Sequence, residues 1–413
     1  MKKSVSNYLK FIKSKSHYKL RKEIKTLDLT VFDYEFFEKN FENLINQETP
    51  LIYPNDIFGF NKSISTGFVA TTDEAFVNFT PDFAYFINNG FENVKKELID
   101  KINNSSIERK PYFKTSINLM NLIYKICKKY KDEAKRLGLD IMVNALNNVP
   151  MNRPNNYYEA LLFLKILIYT LKTYPVRLMG YGRIDQYLYP YFEMSIKQGV
   201  CEEDLLEQTE LFFLSLNVDE DLFANMQAGD DGQSIILGGL TKDNKDGFNK
   251  LSEMILKAST ELCVINPKIN LRVNKNTPLK IYELGTELTK KGLGFPQYCN
   301  DDIVIPGLVK LGYEYEDALD YTVAACWEFI IPGVGYDIAN IGTMNFPKVV
   351  RKTVIKNLKE SNNYDEFFNH VLNNVNDEFE TLKISCSDKG NRFTQGYCPF
   401  ISLFFRDCRI KGI

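Results

Sequence analysis

The chain has 413 residues, 44% hydrophobic and 25% charged, with 30 Phe and 24 Tyr, a composition that supports a large globular core and excludes a disordered or fibrous chain. A net charge of −2 leaves no global basic footprint for nucleic acid. Two histidines, and eight cysteines without a C-x-x-C pair, exclude a His-rich metal site and a disulfide framework; the expectation is reduced thiols, no metal and a cytoplasmic protein.

In chain order, the first 26 residues carry nine Lys/Arg against one acid, Glu23, with Leu9, Phe11, Ile12 and Tyr18 interspersed. They read as a solvated amphipathic helix rather than a targeting segment. Helical periodicity follows over 31–45, 91–102, 116–137, 158–171, 205–216 and 248–262. The most apolar of these, Ala160–Leu171, is too short to span a membrane and is broken by Lys165, so it predicts a buried helix. Short β-like runs are interleaved: SIILGGL (234–240), KINLRVN (268–274) and DYTVAAC (320–326). This alternation predicts an α/β fold. The loops at 147–156, 228–233, 241–247 and 274–278 are too short for flexible linkers and no repeat occurs, so 1–413 reads as one domain.

The stretch YTVAACWEFIIPGVG (321–335) holds one charged side chain, Glu328, two residues from Cys326. In an extended strand, residues at i and i+2 face the same way, which would set the thiol beside the carboxylate in a dry pocket, with Trp327 on the other face. Burial there would raise both pKa values, keeping a neutral S–H beside a base poised nearer neutrality. That suits hydrogen-atom chemistry better than metal binding or a thiolate nucleophile. From these two residues alone, an inert core cysteine beside a glutamate paired elsewhere is the plainer account.

The wider neighbourhood alters that balance. Gly292–Phe329 closely resembles the segment leading to the radical cysteine of glycyl radical enzymes, the pyruvate formate-lyase-like superfamily, with Gly294, Pro296, Asn300, Asp301, Gly312, Glu316, Asp317, Ala318 and Cys326 fitting. In the same order, GRIDQYLYPYFE (182–193), GQSIILGG (232–239) and PKINLRV (267–273) resemble family segments, as do VNFTPDFAYFINNGF (77–91) and PFISLFFRDCRIKG (399–412). RLMGY (177–181) superficially resembles the glycyl radical motif Arg-Val-x-Gly-Tyr, but lies upstream of the cysteine and reads as a local turn. GVGYDIANIG (333–342) lacks the third glycine of a dinucleotide loop. The pairs Asp230-Asp231 and Asp301-Asp302 lack partners at metal-ligand spacing and read as solvated or capping.

The resemblance implies an incomplete ten-stranded α/β barrel of the glycyl radical enzyme type with surrounding helices. It implies Cys326 as the group that abstracts hydrogen from a small substrate and Glu328 as base, with Asn78, Asp337 and Asn340 as candidates for orienting the substrate. Pyruvate formate-lyase proper pairs two cysteines, whereas Ala325 precedes Cys326, so a dehydratase, C–N lyase or decarboxylase of the Cys-x-Glu type is expected ahead of a formate C-acetyltransferase. Asn78 stands where diol dehydratases place a histidine, and an asparagine cannot protonate a leaving hydroxyl. Family members continue beyond the Cys-x-Glu to a loop bearing the radical glycine, whereas these residues end 87 positions after Cys326. The expectation is therefore a C-terminally truncated chain. Its radical would lie on the missing C-terminal segment, which a complementary polypeptide could supply, and be installed by an S-adenosylmethionine-dependent iron–sulfur activase. The complete form is expected to be a homodimer; the alternative is an inactive remnant or one half of a split enzyme.

Overall fold

The computed structural model describes residues 1–14, 33–61, 78–173, 176, 178–218, 232–335, 343–393 and 399–412. By contacts the chain falls into two compact units, residues 1–337 with 397–413, and residues 338–396.

The larger unit is α/β, built on a wall of parallel strands: β1 (Ser234–Gly238), β2 (Lys268–Val273) and β3 (Gln297–Asn300), hydrogen-bonded in that order. The register sets Ser234 opposite Lys268 and Leu271 opposite Tyr298. Two isolated parallel bridges, Gly180 to Ser234 and Met179 to Phe79, carry the wall further past β1. The parallel positions thus follow chain order, and helical crossovers such as Lys250–Leu262 and Leu279–Thr289 join β1 to β2 and β2 to β3. All of β1 and nearly all of β2 is buried, as a sheet covered on both faces requires; β1 is almost continuously apolar, whereas β2 alternates Ile269, Leu271 and Val273 with the buried Asn270 and Arg272.

Two of the three predicted strands are present with slightly earlier ends. The third, 320–326, is extended only over β4 (Thr322–Ala324), after which the chain turns and returns antiparallel as β5 (Glu328–Ile330).

The helix Tyr157–Leu171 is buried along its whole length, capped by the Asn156 side chain on the Glu159 amide. Lys165, the residue that breaks its apolar run, gives its ammonium to the Ser215 carbonyl at 2.7 Å. Around it lies an aromatic core in which the Phe60 and Tyr130 rings stack at 4.1 Å, each fully buried aromatic contributing roughly 2–3 kcal/mol of transfer free energy. The basic N-terminal stretch forms a helix over Lys3–Lys13 that buries Val5, Tyr8 and Ile12 along one face, so it is packed rather than solvated. Residues 15–32 lie outside the described residues.

The C-terminal helices Pro399–Leu403 and Arg406–Lys411 return to this unit, where Phe404 packs on Phe86 at 4.4 Å between ring centroids. The smaller unit is a helical pair, Phe346–Asn357 and Tyr364–Phe393, joined by a 2.8 Å bond from Asn374 Nδ2 to Thr353 Oγ1. Among the described residues no helix is long and apolar enough to cross a membrane.

Candidate active site

The β4–β5 hairpin is the element that carries Cys326. Its base is held at the C-terminal end of the wall: Arg272, near the end of β2, donates through Nη1 to the carbonyls of Leu319 at 2.8 Å and Tyr321 at 3.3 Å. Arg183 joins it, giving Nη1 to the Leu319 carbonyl at 3.0 Å and Nη2 to the Gly238 carbonyl at 2.8 Å. Two residues beyond Tyr321, the Val323 carbonyl accepts from Ser234 Oγ at 2.6 Å, and Ser234 is the first residue of β1. β4 therefore runs against the direction of the wall strands and delivers its turn, 325–327, to the wall's N-terminal end. Gly180 makes room for this passage, because a Cβ there would collide with Thr80 Oγ1 and lie 3.1 Å from the Val323 carbonyl.

Cys326 and Glu328 are brought together, though not on one face of a strand. Ala325 takes left-handed backbone, φ 53°, and Ala324 pairs across the hairpin with Glu328. The carboxylate folds back into the turn, where Glu328 Oε2 accepts the amides of Cys326 and Trp327 at 3.0 Å each. The dry pocket expected around the pair is also absent from the described residues, since Cys326 is exposed and Glu328 is partly exposed. Trp327 is 54% exposed in the turn.

Asn78 precedes Phe79, which bridges Met179, one residue before the Gly180–Ser234 bridge. It therefore occupies the same end of the wall as the Cys326 turn. It is fully buried with φ 54°, a left-handed conformation that asparagine tolerates, and neither its Nδ2 nor its Oδ1 has a hydrogen-bond partner among the described residues. Thr80 Oγ1 and Thr322 Oγ1 are likewise buried and without a partner among the described residues. Orphaned polar atoms of this kind cost roughly 1–3 kcal/mol each unless something else satisfies them. Asp337 and Asn340 lie outside the described residues.

The residues that hold the hairpin were not singled out as site residues from sequence. Asp301 is neither solvated nor a helix cap: it is 1% exposed and accepts from Arg272 Nε at 2.8 Å, Arg272 Nη2 at 3.0 Å, the Tyr321 hydroxyl at 2.7 Å and the Leu240 amide at 2.6 Å. Burial raises the Tyr321 hydroxyl far above the ordinary tyrosine range, with Arg272 pulling the other way, so it stays a donor. Asp185, from the Gly-Arg-x-Asp-Gln-Tyr segment, accepts the Gly238 amide at 2.7 Å and Ser252 Oγ at 2.6 Å, and burial raises its pKa. RLMGY, read as a turn, supplies Met179 and Gly180 to the wall itself.

From the far side, Arg406 forms a two-armed ion pair with Asp317 at 2.7 Å, and its amide donates to the Gly333 carbonyl at 2.7 Å. Gly333 in turn donates to the Thr80 carbonyl at 2.9 Å, which ties the segments around 80, 333 and 406 together. A cavity of about 70 Å³ beside the hairpin base, lined by Asp82, Tyr181, Arg183 and Asp320 among others, has room for about two waters. A roomier cavity of about 440 Å³, lined by Phe192, Leu205, Met254 and neighbours, shares no residue with the hairpin.

Known proteins match most of the chain: residues 12–398 fit the family described as pyruvate formate lyase-like. The chain belongs to this family of glycyl radical enzymes. It is 25% identical over 283 residues to isethionate sulfite-lyase of Bilophila wadsworthia, a match covering 62% of this chain and 34% of that protein. A solved structure concerning 1,2-propanediol dehydration in Roseburia inulinivorans is 16% identical and superposes over 100% of this chain and 63% of its own, with a TM-score of 0.85. A glycyl radical enzyme from Archaeoglobus fulgidus is 20% identical and matches 84% of this chain and 50% of its own, with a TM-score of 0.73. The fold is thus that of the glycyl radical enzyme barrels, and the chain spans about a third of the length of the curated relative.

Proposed function

We propose that these residues form the thiyl-bearing part of a glycyl radical lyase, within one pyruvate formate-lyase-like domain. Cys326 would abstract hydrogen and Glu328 would act as base. The observation that carries this reading is the hairpin turn, which holds the Glu328 carboxylate on the amide of Cys326 itself. Because Cys326 is exposed, a second segment can reach its Sγ. A glycyl radical, expected on a segment outside these residues and installed by an activase, supplies the acceptor for the Cys326 hydrogen atom. Cys326 then takes a hydrogen atom from a substrate C–H, and Glu328 takes a proton from the adjacent hydroxyl. The neighbouring leaving group departs with its electron pair, and the product radical recovers hydrogen from the Cys326 thiol.

Asn78 supports a leaving group that needs no proton, because an amide cannot donate one as an acid. An amine or, as the name of isethionate sulfite-lyase suggests, sulfite departs in this way, whereas a decarboxylation would release carbon dioxide and leave the electron pair on the substrate. Asn78, Asp337 and Asn340 are the proposed orienting residues. The test is deuterium incorporation from D₂O into recovered isethionate by the activated, reconstituted enzyme: incorporation that disappears in Cys326→Ser is expected, and incorporation retained in that variant overturns the radical role.

A second reading, in which this polypeptide is inactive alone and works only as one part of a split enzyme, is favoured by the exposure of Cys326, whose Sγ a separate polypeptide can reach. Stable binding to a polypeptide carrying the Arg-Val-x-Gly-Tyr motif, with turnover only in the mixture, is its expected outcome.

A further inference from the structure

We infer that Arg272, clamped by Asp301 and Tyr321, is a positioning residue that sets where the Cys326 turn sits. Arg272 is 1% exposed, and a buried guanidinium left unpaired costs several kcal/mol. Here four of its five N–H groups are engaged, two arms on Asp301 and two hairpin carbonyls on Nη1, and the Tyr321 ring lies beneath the guanidinium at 4.0 Å. A well-packed apolar cluster would stabilise the same volume as well or better, so stability alone does not explain the ion pair. Its distinctive property is geometric. A planar fork fixed on Asp301 leaves Nη1 in one direction only, and that direction holds the carbonyls of Leu319 and Tyr321, the last before β4.

The surrounding backbone is shaped around this group. Gly238 and Gly239 both take left-handed backbone, φ 68° and 85°, and a Cβ on Gly239 would come within 2.7 Å of Arg272 Cζ. The same turn gives the Leu240 amide to Asp301 Oδ2, so the wall locks the acid that locks the arginine. Tyr321 passes the constraint across the hairpin, its ring edge meeting Phe329 of β5 at 5.6 Å between centroids. Both strands that flank Cys326 are thereby referred to one buried point at the opposite end of the wall.

Arg272 matters to the reaction only if Cys326 is the reacting group, as proposed above, whereas the position of the turn is a property of the resting chain. The experiment is peptide-resolved alkylation of the full chain by iodoacetamide, with the exposed Cys201 and Cys263 as internal references, together with amide hydrogen exchange over 322–330. Arg272→Lys keeps the charge but not the fork. It is expected to change the Cys326 alkylation rate by at least about threefold and to speed exchange of the turn amides by about tenfold, with Cys201 and Cys263 unmoved. Tyr321→Phe removes one hydroxyl and keeps the ring, and should shift both readouts the same way by less. This second variant decides the matter if Arg272→Lys does not fold. Wild-type alkylation and exchange in folded Tyr321→Phe and Arg272→Lys would overturn the positioning role. If instead Cys326→Ser retains deuterium incorporation, the proposed function falls and the alkylation result stands.

Discussion

Glu328 has two jobs in this turn that a single substitution can separate. Its Oε2 takes the amides of Cys326 and Trp327, while the proposed reaction needs the same carboxylate as a base. Glu328→Gln keeps an oxygen of the same shape at the end of the side chain and removes the base; Glu328→Ala removes both. Alkylation of Cys326 should therefore stay near the wild-type rate in Glu328→Gln and change in Glu328→Ala, where two amides lose a charged acceptor worth about 1.5–3 kcal/mol each before water replaces it. Equal alkylation rates in the two variants would show that the carboxylate does not hold the turn. That Glu328 lies beside the Cys326 backbone follows from their two-residue separation, which a tight turn as well as a strand can close. The turn was not legible, because an alanine at φ 53° leaves no mark that a glycine or asparagine would leave. Glu328 is partly exposed, whereas Arg272 and Asp301 are the buried charged pair.

At the scale of elements, the helices were legible from their period, and the differences arise where backbone rather than pattern decides. The predicted helix over 91–102 is the second part of Phe83–Asn104, which is interrupted at Gly90 with φ 71°. The amides freed there are not wasted, since Phe91 donates to the Pro150 carbonyl and Glu92 to Met151, both at 2.9 Å. A Cβ on Gly90 would lie 2.6 Å from the Asn152 carbonyl carbon and 2.7 Å from the Met151 oxygen, backbone that cannot swing away. Gly90→Ala should then cost about 1 kcal/mol for the left-handed backbone and more for the contact, at least about 2 kcal/mol in all, read as a lower urea midpoint. An unchanged midpoint would mean that the 150–152 loop yields freely. β3, with the sequence QYCN, was not predicted because four residues without alternation or branching carry no strand signal, and only pairing with β2 makes them extended. The wall positions at 79 and 179–180 are shorter still, single bridges fixed by their neighbours.

At the scale of the whole molecule, the first residues are fastened to the middle of the chain by an acidic cluster that makes stability depend on pH. Lys2 bonds Asp204 and Glu207, Ser4 bonds Glu207, and the Met1 ammonium sits 3.2 Å from Glu261 Oε2. Beneath them Glu210, 1% exposed on the helix Glu202–Leu216, has its pKa pushed up to about 7, first by burial and then by the charge of Glu261, with the Met1 ammonium opposing. The sign follows from proton counting. Between about pH 4.5 and 7 the unfolded carboxyl has ionised while the folded one still holds its proton, so the folded state binds more protons and stability falls as pH rises. Below that window both states are protonated, and above it the loss is complete. Allowing for solvent screening, the loss is on the order of 1–2 kcal/mol. Glu210→Gln, which cannot ionise, should keep its urea midpoint more nearly level from pH 5 to pH 8, while the wild-type midpoint falls. A wild-type midpoint that rises over the same range would mean that Glu210 is ionised in the folded chain and held by the Met1 ammonium instead.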